Sequence, residues 1–331
     1  MKALVTGGGG FLGGVIVRML REQGRHVRSF SRGDYPVLAR LGTEQFRGDL
    51  SDRNALTRAA EGCDIIFHIA AKAGVWGSYA EFHRANVTGT ENVLAACKSQ
   101  GVSKLVYTGS PSVVFDGRDV EGGNESLPYP PGYHAHYPHT KALAEQRVLA
   151  ANCRDLATVS LRPHLIWGPA DNHLVPRILA RGRAGTLRRI GSRPCLVDTI
   201  YVDNAARAHL LAAERLVPGA PPAGKAYFIS NGEPVPLWDM INRILAAADI
   251  PPVTKSIPPW LAYTAGTLCE QLWRLFRLPD EPPMTRFVAR ELSTAHWFDI
   301  SAARRDLGYA PEVSIDEGLS RLRTWLRQQR T

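Results

Sequence analysis

A tyrosine stands four positions before a lysine in the stretch YPHTK, residues 137 to 141. On a helix those two positions share a face, so the Lys141 ammonium can lie within a few ångström of the Tyr137 phenol. A phenol titrating near pH 10 is a poor acid-base group at neutral pH, and a nearby positive charge favours its ionised form and brings it toward the working range. Such a pair can pass a proton to or from a carbonyl oxygen. Ten tyrosines and seven lysines in 331 residues give roughly 0.2 chance matches to that spacing. The pair therefore needs support from the elements that hold it.

Those elements alternate. Short apolar runs such as KALVT, HVRSF, DIIFHIA and KLVYTGS are separated by helix-period segments through the first 160 residues or so. That succession predicts right-handed crossovers and a doubly wound α/β fold, a parallel sheet covered on both faces. The first strand runs into VTGGGGFLGG, with Gly7, Gly10 and Gly13 at three-residue spacing. After a strand and before a helix, such glycines make the tight turn, let backbone approach a pyrophosphate and let helix lie close to strand. The helix N-terminus offers free N–H groups to the phosphates. The second strand ends in Ser31 and Arg32, where NAD enzymes usually carry an acid for the ribose hydroxyls. An arginine there can pair with a 2′-phosphate. NADPH/NADP is the expected cofactor, with NAD the alternative.

Past about residue 165 the alternation loosens and proline becomes frequent. A cofactor domain over 1–165, to which later chain returns in part, and a mainly substrate-binding domain over 166–331 are expected. The net charge of +9 includes six arginines between 177 and 193, with no aromatic residue among them, which argues against nucleic acid. Five scattered cysteines without a Cys-x-x-Cys pair, and no secretory leader, point to reduced thiols in the cytoplasm. His134, His136 and His139 have no spacing that guarantees a shared face, with the first two expected in irregular chain, so no metal is expected. His68 is expected to be a packed histidine.

The apolar stretch 256–278 has a longest uncharged run of 14 residues, Ser256 to Cys269. A spanning helix needs roughly 20. A core helix is the first expectation here. An amphipathic segment over an apolar substrate entrance, or peripheral to a membrane, is the alternative.

With TGGGGFLG, GDL (48–50), HIAA (68–71), YTGS (107–110), YPHTK and LRP (161–163) in this order, the chain resembles an extended short-chain dehydrogenase/reductase over essentially its whole length. The resemblance implies that Ser110, Tyr137 and Lys141 are catalytic and that Asn86 belongs to the proton relay. It also implies cofactor contacts from Phe11 and Leu12 in the glycine turn, Asp49 and Leu50, Ala70 and Ala71, Lys141, and Pro163. Family members often carry Thr-Ser-Ser where this chain has Thr108, Gly109, Ser110, Pro111 and Ser112, so Ser112 competes with Ser110. Ser110 is favoured because it directly follows the expected strand end at Thr108.

Dehydratases of that family typically carry an Asp-Glu pair where Pro111 and Ser112 stand. The segment around Trp260, Trp273 and Phe276, with FVARELSTAHWFDI, is similar to the 3β-hydroxysteroid dehydrogenase branch. Within it, VRSFSRGDYPVLARLG and YTGSPSVVFDG look like bacterial 2-alkyl-3-oxoalkanoate reductases of long-chain olefin biosynthesis. The implied reaction is NADPH-dependent reduction of the 3-keto group of a 2-alkyl-3-oxo fatty acid. A 3β-hydroxysteroid or sterol dehydrogenase is the runner-up, and an NAD-dependent sugar-nucleotide epimerase follows it. Arg177 and Arg181 are candidates for meeting a substrate carboxylate. A lipid-like ketone substrate, a homodimer and association with other olefin-pathway enzymes complete what the resemblance implies.

Overall fold

Residues 1–278 and 280–329 are described by a computed structural model. The apolar runs form strands β1 (Lys2–Thr6), β2 (His26–Ser31), β3 (Glu44–Arg47), β4 (Ile65–His68), β5 (Lys104–Thr108), β6 (Ala157–Pro163) and β7 (Lys225–Ile229). They pair in the order β7-β6-β5-β4-β1-β2-β3, all parallel. The chain builds outward from β1 through β2 to β3, then returns to the other side of β1 for β4 to β7. The order thus reverses between β1 and β4, and a crevice opens there at the carboxyl ends of the strands.

Side chains alternate across the strands, so two layers cover the sheet. Ala3, Val5, Ile65, Phe67 and Val106 pack on one face with Ile16, Val17 and Leu20 of helix α1 (Phe11–Glu22). Leu4, Phe30, Ile66 and Leu105 pack on the other with Val93 and Ala96 of α2 (Gly89–Gln100) and Ala144 and Val148 of α3 (His136–Ala150). The following helices α4 (Leu174–Arg183), α5 (Val202–Arg215), α6 (Pro259–Leu275) and α7 (Arg286–Glu291) belong to the later chain, and α5 packs back on α1. Val120–Gly123 pairs with His296–Phe298 in a separate four-stranded sheet.

The core-helix expectation for 256–278 is corrected. α6 turns Ala262, Gly266 and Glu270 inward, while Trp260, Leu268, Leu275 and Phe276 are 68%, 60%, 74% and 65% exposed. The inward face is set by close packing and an ion pair: Gly266 lies against the Thr285 backbone, and Glu270 holds Arg286 at 2.8 Å. Among the described residues, no helix is long and apolar enough to cross a membrane.

Candidate active site

β1 ends at Thr6 and α1 begins at Phe11, so Gly7–Gly10 is the whole turn. Gly7 takes a φ of +72°, and a Cβ on Gly13 would stand 2.1 Å from the Gly7 carbonyl oxygen. Only glycines let α1 lie this close. Gly10 caps α1 without a side-chain hydrogen bond, and the first turn of α1 has no acid. Its unpaired N–H groups and positive end therefore face the crevice, an arrangement that fits a pyrophosphate.

Around that turn, Ser31 Oγ accepts from the Gly9 N–H at 3.4 Å, and the Ala70 N–H donates to the Thr6 carbonyl at 3.1 Å. The Tyr35 ring lies over Gly9, a cover that the sequence did not announce. Phe11 is half-buried, Leu12 is buried in the α1 core face, and Ala71 is exposed just past Ala70. Arg32 is exposed beyond β2, its carbonyl accepting from Arg47 Nε at 3.1 Å. Hydrogen bonds from Ser51 hold Asp49 below the usual carboxylate range, and Arg84 and Arg32 add to that. Arg32, Asp49 and Arg84 thus share one corner, with the Leu50 carbonyl tied to Asn92 at 2.9 Å. Pro163 ends β6, opposite Ile229.

Tyr137 and Lys141 lie one turn apart on α3. Pro138 sits in its first turn, where a missing N–H costs nothing, and His136 opens the helix rather than lying in irregular chain. Lys141 is buried, donates to the Thr108 carbonyl at 2.6 Å and lies 4.2 Å from the Tyr107 ring centre. α3 is thereby fastened to the end of β5. Asn86 sits in a π-helical turn, His83–Thr88, that offers its side chain to the site. Its Oδ1 accepts from the Lys72 N–H at 2.7 Å, and its Nδ2 donates to the Lys72 carbonyl and Thr140 Oγ1, both at 3.1 Å.

Ser110 and Ser112 occupy one turn, their hydroxyls 2.8 Å apart. Ser110 is the one that acts on Tyr137, favouring its ionised form. Gly109 separates them from β5, and a Cβ there would meet Glu145 Oε2 and Ser160 Oγ at 2.6 Å. That contact gives a physical reason for glycine at this position.

Burial pushes the Tyr137 phenol up, against the pull of Ser110, and Glu291 raises it further. Burial also brings Lys141 down to about 7, with Glu145 opposing. The expectation that Lys141 lowers the phenol is therefore corrected. Its ammonium is engaged by Thr108 and Tyr107, and burial dominates both groups.

Two acids were not found from sequence. Glu145, fully buried one turn beyond Lys141, accepts from Ser160 at 2.6 Å, Tyr129 at 2.7 Å and Arg162 Nη2 at 2.6 Å. Glu291 closes α7, on the same face as Phe287, whose ring meets Phe115 edge-on at 5.9 Å just past the serine turn. Glu291 is half-buried at the residue level with its carboxyl set deep in the protein, and burial pushes it up to about 8. In an unfolded chain it ionises near 4.5, so between about pH 4.5 and 8 folding keeps a proton that unfolding releases. Stability from this group is lost as pH rises through that window, by up to about 1.4 kcal/mol per pH unit. Glu291→Gln should remove this slope: chemical denaturation near pH 8 should show the variant more stable than wild type, and near pH 4.5 about equal to it.

His68 bridges Thr6 and Thr90 at 2.8 and 3.0 Å and is brought down to about 3 by burial, so it packs as a neutral ring. His136 and His139 each meet the Tyr79 ring at 5.6 Å, and His134 faces the Asp116 carbonyl at 3.2 Å. Among the described residues, no group of three metal-ligating side chains gathers. A cavity of about 550 Å³ reaches the first turn of α3 at His136, with Trp76, Trp273, Arg274, Arg277, Phe287, Glu81 and Glu270 in its walls. Arg177 and Arg181 are not there: Arg177 pairs with Glu281, and Arg181 donates to the Pro283 carbonyl at 3.0 Å. Both are corrected as carboxylate candidates.

A glycine turn at the switch point, with tyrosine and lysine on the helix beside β5, is the build of an extended short-chain dehydrogenase/reductase. The chain belongs to the 3-beta hydroxysteroid dehydrogenase/isomerase family, whose model matches residues 4–257. It is an NAD(P)-dependent oxidoreductase acting on hydroxyl and keto groups. It is 55% identical to the 2-alkyl-3-oxoalkanoate reductase of Stenotrophomonas maltophilia, over 98% of each chain. It is 36% identical to the mouse decarboxylating sterol-4-alpha-carboxylate 3-dehydrogenase, over 97% of this chain and 89% of that one. The crystal structure of gox2253 superimposes with a TM-score of 0.78 at 28% identity, covering 99% of this chain and 98% of the other.

Proposed function

We propose that this protein reduces the 3-keto group of a 2-alkyl-3-oxoalkanoic acid to the 3-hydroxy acid with NADPH, a step of long-chain olefin biosynthesis. The observation that supports the reading is the Ser110, Tyr137 and Lys141 set on a helix whose first turn, at His136, meets a cavity with aromatic rings and arginines in its walls. The identity to a 2-alkyl-3-oxoalkanoate reductase supports the choice of ketone.

NADPH, when bound, supplies the hydride. The α1 N-terminus would hold its pyrophosphate and Arg32, with Arg84 near, its 2′-phosphate. Tyr137 gives its proton to the substrate oxygen, and the Ser110 hydroxyl donates to the same oxygen as charge grows there. Lys141 keeps α3 against β5, and Asn86 braces the turn beside it. Arg274 and Arg277 on the cavity wall meet the substrate carboxylate, while the aromatic wall takes the alkyl chains.

The test is NADPH consumption with a synthetic 2-alkyl-3-oxo acid beside a 3-ketosteroid and a UDP-sugar. Turnover on the fatty acid alone is expected; turnover confined to the steroid would favour the sterol-dehydrogenase reading instead. Arg32→Ala should lower the ratio of kcat/KM for NADPH over NADH about tenfold, the loss of one charge-assisted contact of about 1.4 kcal/mol. An unchanged ratio would assign the 2′-phosphate to another residue.

A further inference from the structure

We propose that the outward face of α6 and the arginine-rich run beside it dock the enzyme on an anionic lipid bilayer surface. Trp260, Leu268, Leu272, Leu275 and Phe276 point to solvent from a helix whose inward face is Ala262, Gly266 and Glu270. A surface helix ordinarily does the reverse, burying its large apolar residues and exposing its acids. A contiguous apolar face of this kind marks an interaction site.

The charge around it selects the occupant. The run from 177 to 193 meets the chain at the start of α6 and again in the segment that follows the helix. Arg189 pairs in a short parallel ladder with Ser256, just before the helix, and a Cβ on Gly191 would stand 3.4 Å from the Pro259 ring. Past the other end, Arg181 donates to the Pro283 carbonyl. Glu270 is buried against Arg286 and Glu281 is paired with Arg177, while Arg274 and Arg277, on and just past the helix, are exposed and outnumber the exposed Asp280. An apolar helix rimmed by arginines suits a surface of anionic headgroups over acyl chains, where each basic residue and each buried apolar side chain adds to binding. A second copy docking face to face would bring the same arginines against each other, which disfavours a symmetric dimer here.

The docked face also adjoins the cavity, since Trp273 and Leu278, from and just past the same helix, line it. An apolar ketone can then pass from the bilayer into that cavity. The inference holds whichever ketone is reduced.

The experiment is co-sedimentation of the full-length protein with phosphatidylcholine vesicles, with and without phosphatidylglycerol, at low and high salt. Light scattering of the lipid-free protein runs in parallel. Wild type should pellet with the anionic vesicles at low salt, weakly with the neutral ones, and less at high salt. The double variant Leu268→Ser/Leu275→Ser should bind at least about tenfold more weakly with unchanged circular dichroism and oligomeric state. Absence of wild-type binding at low salt, equal binding to neutral vesicles, or equal binding by the variant would overturn the inference. So would a wild-type oligomer that the variant dissociates, because the face would then belong to a protein contact. Should the variant fail to fold, the lipid and salt dependence of wild type still decides.

Discussion

Tyr137→Phe is expected to bind NADPH about as wild type does and to turn over ketone roughly a thousandfold more slowly, within the range that a positioned general acid contributes. The substitution removes one oxygen and keeps the ring, so the first turn of α3 and the Lys141 contact to Thr108 should persist. No other group replaces the lost donor easily. Ser110 already shares its hydroxyl with Ser112 at 2.8 Å, and Lys141 is committed to a carbonyl at 2.6 Å. Among the described residues, Glu291 acts on Tyr137 and is held protonated at neutral pH by burial, so a rescue through it would appear as residual activity lost in Tyr137→Phe/Glu291→Gln. Fluorescence titration of NADPH against single-turnover rates separates the two effects. Normal turnover by the single variant would take Tyr137 out of the mechanism.

What the sequence reveals and what it hides follow from the range of the forces involved. The sheet and the glycine turn are local: apolar runs of strand length, a turn bounded by Thr6 and Phe11, and the spacing of Gly7, Gly10 and Gly13 are all visible in a few residues. The spacing of Tyr137 and Lys141 is equally local, but their protonation is not. Burial sets it, and burial depends on β5 and the later chain folding over α3. Glu145 resembles any acid four residues after a lysine on a helix surface. Only the approach of β6, bringing Ser160 and Arg162, makes it the centre of a buried cluster. α6 misleads for another reason: an apolar count cannot say which side faces in. Here the small residues and one ion pair occupy the inside, so the large side chains are left outside.

That buried cluster should give the largest stability effect in the protein. Glu145→Ala is expected to cost about 3–5 kcal/mol, measured as a shift of the denaturant midpoint at constant slope. The carboxylate is fully buried and takes hydrogen bonds from Tyr129, Ser160 and Arg162, so its removal leaves a buried guanidinium and two hydroxyls without their partner. The size of the loss reflects that orphaned charge more than the worth of the pair. Glu145→Met combined with Arg162→Leu should therefore recover much of the stability, since apolar groups of similar volume leave no charge behind. A second consequence separates this site from ordinary packing. Lys141 titrates near 10.5 when unfolded and at about 7 in the fold, where Glu145 is the one group raising it. Across that interval the unfolded chain holds more protons, so the Lys141 contribution to stability increases with pH from about 7 to about 10.5. Without Glu145 the folded value falls further, and the rise should begin below pH 7. A cluster that only filled space would change the midpoint and leave the pH at which this rise begins where it was.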